Sequence, residues 1–216
     1  MSTLVKIDEL LIGEHGSLSI ADECYYLLEY TARGGYSYST GNDLIQNLKK
    51  PMDREGRPEW KWKAWAIRKI AQELTPALPL VIDFTLTTII PIPPSKIRTN
   101  PLYDDRVLQI LQIACPTGAD IRELIISQED RMAAHYAQEQ RPTVQEIIGN
   151  YRWADTINPT IRSTVALFDD MITGGNHYVA CKNFIKQRFP DARVIGVFVS
   201  RRVLPQTSPF DDFADV

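Results

Sequence analysis

The stretch that most constrains the fold of this chain covers residues 164–202. Apolar runs at residues 164–168 and 193–199 flank residues 176–189, whose pattern is typical of a helix. Short apolar runs bounded by turn residues are typical of buried strands. Because a helix joining two neighbouring parallel strands makes a right-handed crossover, this stretch predicts a strand–helix–strand unit of an α/β protein.

The rest of the chain repeats this alternation. Strands are predicted at residues 21–31, 87–92 and 120–126, and helices at 42–48, 59–74 and 104–114, while residues 128–151 are polar and helical in part. These elements predict an α/β fold with a mostly parallel sheet of about five strands and helices on both faces. We expect residues 1–80 to form a small hood and N-terminal elements packed on the core, 81–204 the core, and 205–216 a flexible acidic tail.

Charge and cysteine content argue against several classes of function. The 216 residues include 24 basic and 27 acidic side chains, and a net charge of −3 gives no overall attraction to nucleic acid or an anionic membrane. The cysteines, Cys24, Cys115 and Cys181, are far apart and predict neither a zinc site nor a disulfide framework. The first residues lack the apolar core of a signal peptide, and the apolar stretch 76–94 is interrupted by Asp83 and prolines. We therefore expect a cytoplasmic protein without membrane contact.

Polar residues that carry chemistry follow the strand predicted at 164–168. Asp169 and Asp170 come first, and Thr173, Gly174 and Gly175 then lead into the helix. Ligands of parallel sheets bind at the carboxyl ends of the strands, and glycine N–H groups at a helix N-terminus are suited to an anion such as phosphate. Carboxylates do not bind phosphate, but they accept hydrogen bonds from sugar hydroxyls or hold Mg²⁺. The sequence therefore predicts a site for ribose 5-phosphate.

This segment resembles the phosphoribosyl diphosphate (PRPP) binding motif of type I phosphoribosyltransferases. In that motif an apolar strand, two acids and an apolar pair precede Thr-Thr-Gly-small-Thr. Upstream, residues 90–96 (IPIPPSK) and 98–106 (RTNPLYDDR) are similar to the ComF-like branch of the family. The resemblance covers roughly residues 87–202 and does not include the N-terminal cysteine zinc ribbon that ComF-like proteins often carry.

The resemblance implies a fold, a reaction and site residues. The fold is the type I phosphoribosyltransferase sheet with a hood. In the reaction, a nitrogenous acceptor displaces pyrophosphate from the ribose of PRPP, with Mg²⁺ bridging pyrophosphate and ribose. The implied catalytic acids, which are also linked to Mg²⁺, are Asp169 and Asp170, and the implied 5-phosphate loop comprises Thr173, Gly174, Gly175, Asn176 and His177. Ser95 and Lys96 would lie in the pyrophosphate loop, and Arg131 and Arg141 are candidates for a lid.

The chain departs from the motif at three loop positions. Gly174, Asn176 and His177 stand where the motif has threonine, a small residue and threonine, so two hydroxyl donors are missing. Asn176 and His177 can donate in their place. Three functions therefore remain open. They are a phosphoribosyltransferase, a regulator that binds PRPP or a nucleotide without turnover, and a partner protein in DNA uptake, DNA processing or phage defence.

Each candidate also has a plainer interpretation. The acidic pair can be a solvated strand end, Lys96 part of an ordinary cationic loop, and Arg131 and Arg141 part of a solvated helix face. Arg106 can pair with acids of its own helix. Residues 59–69 (EWKWKAWAIRK) favour a helix that buries its tryptophans over one that stacks bases, so direct nucleic-acid binding is not favoured. A homodimer is compatible with the implied fold.

Overall fold

A computed structural model describes residues 3–131, 142–154 and 160–204. The strands are β1 (Val5–Lys6), β2 (Glu23–Thr31), β3 (Thr87–Pro91), β4 (Asp120–Ile121), β5 (Ile125–Ser127), β6 (Tyr151–Trp153), β7 (Thr164–Ile172) and β8 (Arg193–Val203). The helices are α1 (Thr40–Leu48), α2 (Lys61–Ala77), α3 (Arg106–Ala114), α4 (Val144–Gly149) and α5 (Asn176–Arg188), with short 3₁₀ turns at Ile12–Glu14, Met52–Arg54, Pro58–Trp60 and Leu78–Leu80.

The central sheet has six strands in the order β1-β2-β8-β7-β3-β4. Strand β1 runs antiparallel to β2 at one edge, and the other five strands are parallel to one another. A separate pair, β5 and β6, is antiparallel. The predicted α/β class with a mostly parallel sheet is therefore confirmed.

Helices cover both faces of this sheet, as predicted for a parallel sheet with crossovers. On one side, which we call the α2 face, side chains of α1, α2 and α3 pack on residues such as Ala166, Phe168 and Val197. On the other, the α5 face, side chains of α4, α5, β5 and β6 pack on Val165, Leu167 and Phe198. The alternation of neighbouring residues between the two faces explains why β7 is an unbroken apolar run.

The segment 1–80, predicted to form a hood and elements packed on the core, supplies parts of the main fold. Strand β2 lies inside the sheet, between β1 and β8, and α1 and α2 belong to the core on the α2 face. Helix α1 begins before residue 42, where it was predicted to start, because Ser39 caps it by accepting a 3.0 Å bond from the Asn42 N–H. The Asn42 side chain is buried and bridges Thr31 and Gly34.

Helix α2 confirms the predicted amphipathic helix, with one unexpected residue. Trp65 packs on the core while Trp62 stays half-exposed, and Lys63 is buried. Within the described ranges, none of the helices combines the length and hydrophobicity needed to cross a bilayer.

Strand β7 is longer than predicted, which changes the position of the acidic pair. The apolar run suggested an end at Phe168, but β7 continues to Ile172 because β8 runs on beside it and pairs with Asp169 and Ile172. Asp169 and Asp170 therefore lie within the strand, and the turn begins at Thr173.

Two other boundaries differ from the prediction. Helix α3 begins at Arg106, so Asp104 and Asp105 precede it instead of lying in its first turn. The strand predicted at 120–126 is two short strands, because β4 pairs with β3 in the central sheet while β5 pairs with β6.

Candidate functional site

A cavity of about 550 Å³ opens at the carboxyl ends of β3 and β7. Residues 91–98 and 169–178 form much of its wall. The cavity brings together the predicted site residues that the structure describes: Ser95, Lys96, Arg131, Asp169, Asp170, Thr173, Gly174, Gly175, Asn176 and His177. Arg141 lies outside the described residues. The size is within the usual range for a small-molecule site.

The loop between β7 and α5 has the backbone shape expected for an anion site. Gly175 caps α5 in the left-handed conformation, at φ 89°. This conformation suits glycine, which has no Cβ to clash with the backbone. Because the first N–H groups of a helix lack internal partners, the start of α5 offers donors to a ligand in the cavity.

The N-terminal segment holds this loop in place, a feature that the sequence did not reveal. The Ser17 N–H donates to the Gly174 carbonyl at 2.9 Å, and the His15 ring bonds to the Thr173 carbonyl through Nδ1. Since a carbonyl only accepts, Nδ1 carries the proton. Burial lowers the pKa of His15, which keeps the ring neutral. No short-range pattern could indicate contacts between residues more than 150 positions apart.

Asn176 is engaged in contacts with the chain around it. Its Oδ1 accepts from Ser17 Oγ at 2.6 Å, and its Nδ2 donates to the Pro142 carbonyl at 2.9 Å. The side chain thus connects the start of α5 to two other segments, and its contribution to an anion site is its backbone N–H.

His177 and Arg131 lie against each other in the cavity wall. Arg131 Nη1 is 2.7 Å from His177 Nδ1, and Arg131 Nη2 donates to the carbonyls of Pro93 and Pro94 at 2.9 and 3.1 Å. Burial, together with the Arg131 charge, lowers the pKa of His177 to about 3. His177 is therefore a neutral ring at physiological pH, and Arg131 provides a positive charge at this end of the cavity.

The predicted pyrophosphate loop follows β3. The Ser95 carbonyl accepts from the Arg131 N–H at 2.7 Å, and Lys96 Nζ lies 3.5 Å from Asp130 Oδ2. Both partners of that ion pair are about one-third exposed. Such a pair contributes little to stability, so the ammonium of Lys96 is available to a ligand.

Asp170 is clamped by two cations. Its Oδ2 accepts from Arg106 Nε and Nη2 at 2.7 and 2.5 Å, and its Oδ1 lies 3.1 Å from Lys49 Nζ. These cations hold the pKa of Asp170 well below its usual range despite burial. Arg106 also pairs with the nearby Asp104 at 2.5 Å, in line with its plainer interpretation, but its bond to Asp170 was not predicted.

Asp169 has the opposite environment. Burial and the neighbouring Asp170 charge raise its pKa to about 7, and its Oδ1 accepts from the Asp170 backbone N–H at 2.7 Å. Two adjacent carboxylates thus differ greatly in their affinity for protons. Such a difference is typical of functional sites, and structural ion-pair networks also produce it.

The clamp on Asp170 extends to a buried lysine. Arg106 also binds Asp104, whose Oδ2 accepts from Lys63 Nζ at 2.6 Å. Lys63 Nζ further donates to the carbonyls of Leu48 and Lys50 at 2.7 and 3.0 Å. The network runs from the floor of the cavity into the core on the α2 face.

The donor set gives a limited fit to Mg²⁺. Among the described residues, no group of three or more His, Cys, Asp or Glu side chains converges to hold a metal ion. Asp170 uses both oxygens for Lys49 and Arg106, which leaves Asp169 as the carboxylate of the pair without an ion pair in the described ranges. These residues fit an ion that is held mainly by oxygens of a bound ligand.

No protein-family model matches the chain, and no curated protein matches its sequence.

Replacing Gly175 with alanine should lower the free energy of unfolding by about 1–2 kcal/mol, since the left-handed conformation costs that much for residues with a Cβ. An added Cβ would also lie 3.0 Å from Leu18 Cδ2. Gly56→Ala is the matched control, because Gly56 has a φ of 82° and open space around its Cβ position. Urea unfolding should show a larger loss for Gly175→Ala than for Gly56→Ala. Equal losses would contradict tight packing of the N-terminal segment on the loop.

Proposed function

We propose that this protein binds PRPP, or a related ribose 5-phosphate, and transfers the phosphoribosyl group to a nitrogenous acceptor in the manner of type I phosphoribosyltransferases. One observation carries the proposal. The cavity is lined by three features together: the acidic pair near the end of β7, the glycine turn that begins α5, and the loop after β3.

The 5-phosphate end of the ligand would bind at the start of α5. The backbone N–H groups there carry the partial positive charge of a helix N-terminus, which favours an anion. The Thr173 hydroxyl has no hydrogen-bond partner among the described residues and is free to donate. Neutral His177 can donate one further hydrogen bond through a ring N–H.

The ribose and pyrophosphate would extend from there towards the loop after β3. The acidic end of β7 lies along this path, and the ammonium of Lys96, which lines the cavity, would face the pyrophosphate. Cations that face a departing pyrophosphate stabilise the negative charge that develops on it. A bound Mg²⁺ would neutralise more of that charge, and Asp169 is the carboxylate that would hold it.

Binding without turnover is the second candidate. Asp170 is already neutralised by Arg106 and Lys49, and the Asn176 side chain is occupied by Ser17 and Pro142. Fewer groups are thus free to strengthen their contacts as the reaction proceeds, and only such contacts accelerate the chemical step. This favours a PRPP-binding regulator.

Calorimetric titration of the protein with PRPP and Mg²⁺ tests PRPP binding, which both candidate functions require. We expect saturable binding to a single site. Thr173→Val should weaken that binding about tenfold, because it removes one donor to a charged phosphate. Thr85→Val is the control, since Thr85 is exposed and lies outside the cavity wall, and it should bind as the wild type does. A folded wild-type protein that does not bind PRPP would refute the proposal.

Release of pyrophosphate separates the two candidates. Continuous release in the presence of PRPP, Mg²⁺ and a mixture of nitrogenous bases supports the transferase. Tight binding without release under the same conditions supports the regulator.

A further inference from the structure

The two acids that follow the apolar run face opposite sides of the central sheet. Asp169 lies opposite Phe198 in the β7–β8 ladder, and Phe198 belongs to the core on the α5 face. Asp170 binds Lys49, which follows α1, and Arg106, which begins α3. Both helices lie on the α2 face. Successive side chains of a strand alternate between faces, so this separation follows from the extension of β7 beyond Phe168.

Asp170 has little capacity left for a ligand. Three nitrogen atoms of two cations surround its oxygens at 2.5–3.1 Å, and its side chain is 6% exposed. Each of these bonds joins two full charges, so it includes a Coulomb attraction that a bond from a neutral sugar hydroxyl lacks. A sugar hydroxyl that displaced Lys49 or Arg106 would break an ion pair at a buried carboxylate, which is strongly unfavourable.

Asp169 has the capacity that Asp170 lacks. It lines the cavity, forms no ion pair within the described ranges, and its Oδ1 accepts a single backbone N–H. It also shares the α5 face with the helix whose first residues would hold the phosphate. A sugar bound between this helix and β7 therefore meets Asp169 first.

We propose, on the premise that the cavity takes a ribose 5-phosphate, that Asp169 alone accepts the ribose hydroxyls and that Asp170 is a structural anchor for this end of β7. The motif thus divides into one ligand-binding acid and one ion-paired acid. The positions Lys49, Arg106, Asp104 and Lys63 belong to the anchor.

Titrations with ribose 5-phosphate and 2-deoxyribose 5-phosphate test this division, because the two probes differ by one hydroxyl. The wild type should prefer ribose 5-phosphate by about tenfold or more, the value of one hydrogen bond to a carboxylate. Asp169→Asn should reduce that preference to within about twofold. Asp170→Asn should retain the preference but lower the melting temperature by about 10 °C, since it removes the buried carboxylate that Lys49 and Arg106 share.

The outcomes separate this inference from the function on which it rests. If the wild type binds neither sugar phosphate, the proposed function fails and the inference fails with it. If it binds both equally, the phosphate site stands and the inference is overturned. Loss of the preference in Asp170→Asn, with retention in Asp169→Asn, also overturns it. Should Asp170→Asn not fold, Lys49→Met removes one anchor contact and must keep the preference, and its loss there would refute the division.

Discussion

Replacing Lys63 with methionine should lower the free energy of unfolding by about 3–5 kcal/mol, the usual cost of removing one partner from a buried ion pair. Lys63 is 3% exposed, and its ammonium binds Asp104 and the carbonyls of Leu48 and Lys50. Methionine fills a similar volume but cannot donate, so these three acceptors would lose a shared partner. Urea unfolding followed by circular dichroism measures the difference.

Lys69→Met is the matched control on the same helix. Lys69 forms a 2.8 Å pair with Glu73 at the surface, where the side chains are 43% and 31% exposed. Surface pairs of this kind are worth about 0.3–0.5 kcal/mol. If Lys63→Met lowers the free energy of unfolding no more than Lys69→Met does, the buried network does not stabilise the fold. Its connection to Asp170 through Arg106 would then not support the site either.

A second large effect concerns pH. The wild-type free energy of unfolding should fall relative to that of Asp169→Asn by on the order of 2 kcal/mol between about pH 5 and pH 8. In the folded protein the Asp169 pKa is raised to about 7, so the native state holds a proton that the unfolded chain has already released. Stability from this group is therefore present at low pH and is lost as the pH rises through about 7.

Opposing groups determine the size of this effect. The charges that act on Asp169 come from Asp170, Lys49 and Arg106. Burial raises the pKa of Tyr151 and Cys181, and the Asp169 charge adds to that rise. Asp191→Asn, at an exposed position, should follow the wild type across the pH range. Parallel curves for the wild type and Asp169→Asn would show that Asp169 is ionised in the folded protein already at low pH, and would contradict its desolvated position.

The fold was largely predictable because its signals are local. The apolar runs at β3, β7 and β8 and the glycine turn before α5 are visible in short windows, and the crossover rule then gives a parallel sheet. The end of β7 was not predictable from its own residues, since Asp169 and Asp170 are poor strand formers. They are in the strand because β8 continues beside them.

The side-chain partners of the site depend on long-range contacts. Lys63 lies on the same helical stripe as Ile67, Ile70 and Leu74, so a lysine among core positions was a signal that the sequence contained. Its partner Asp104 is 41 positions away, and no periodicity indicates such a pairing. The contact of Arg106 with Asp170 spans 64 positions. The predicted site thus consists of the right segments, while the charges within it are balanced by residues that the sequence did not single out.

Because His15 and Ser17 hold the loop before α5 in place, the site cannot be transferred to another protein as a single segment. Residues 164–202 contain the whole strand–turn–helix–strand segment, yet contacts that hold its loop come from the N-terminal part of the chain. During synthesis the N-terminal segment leaves the ribosome long before its partners exist, so the site is completed late. If residues 164–202 were grafted into another sheet, the turn would be present but His15 and Ser17, which hold it in this protein, would be missing.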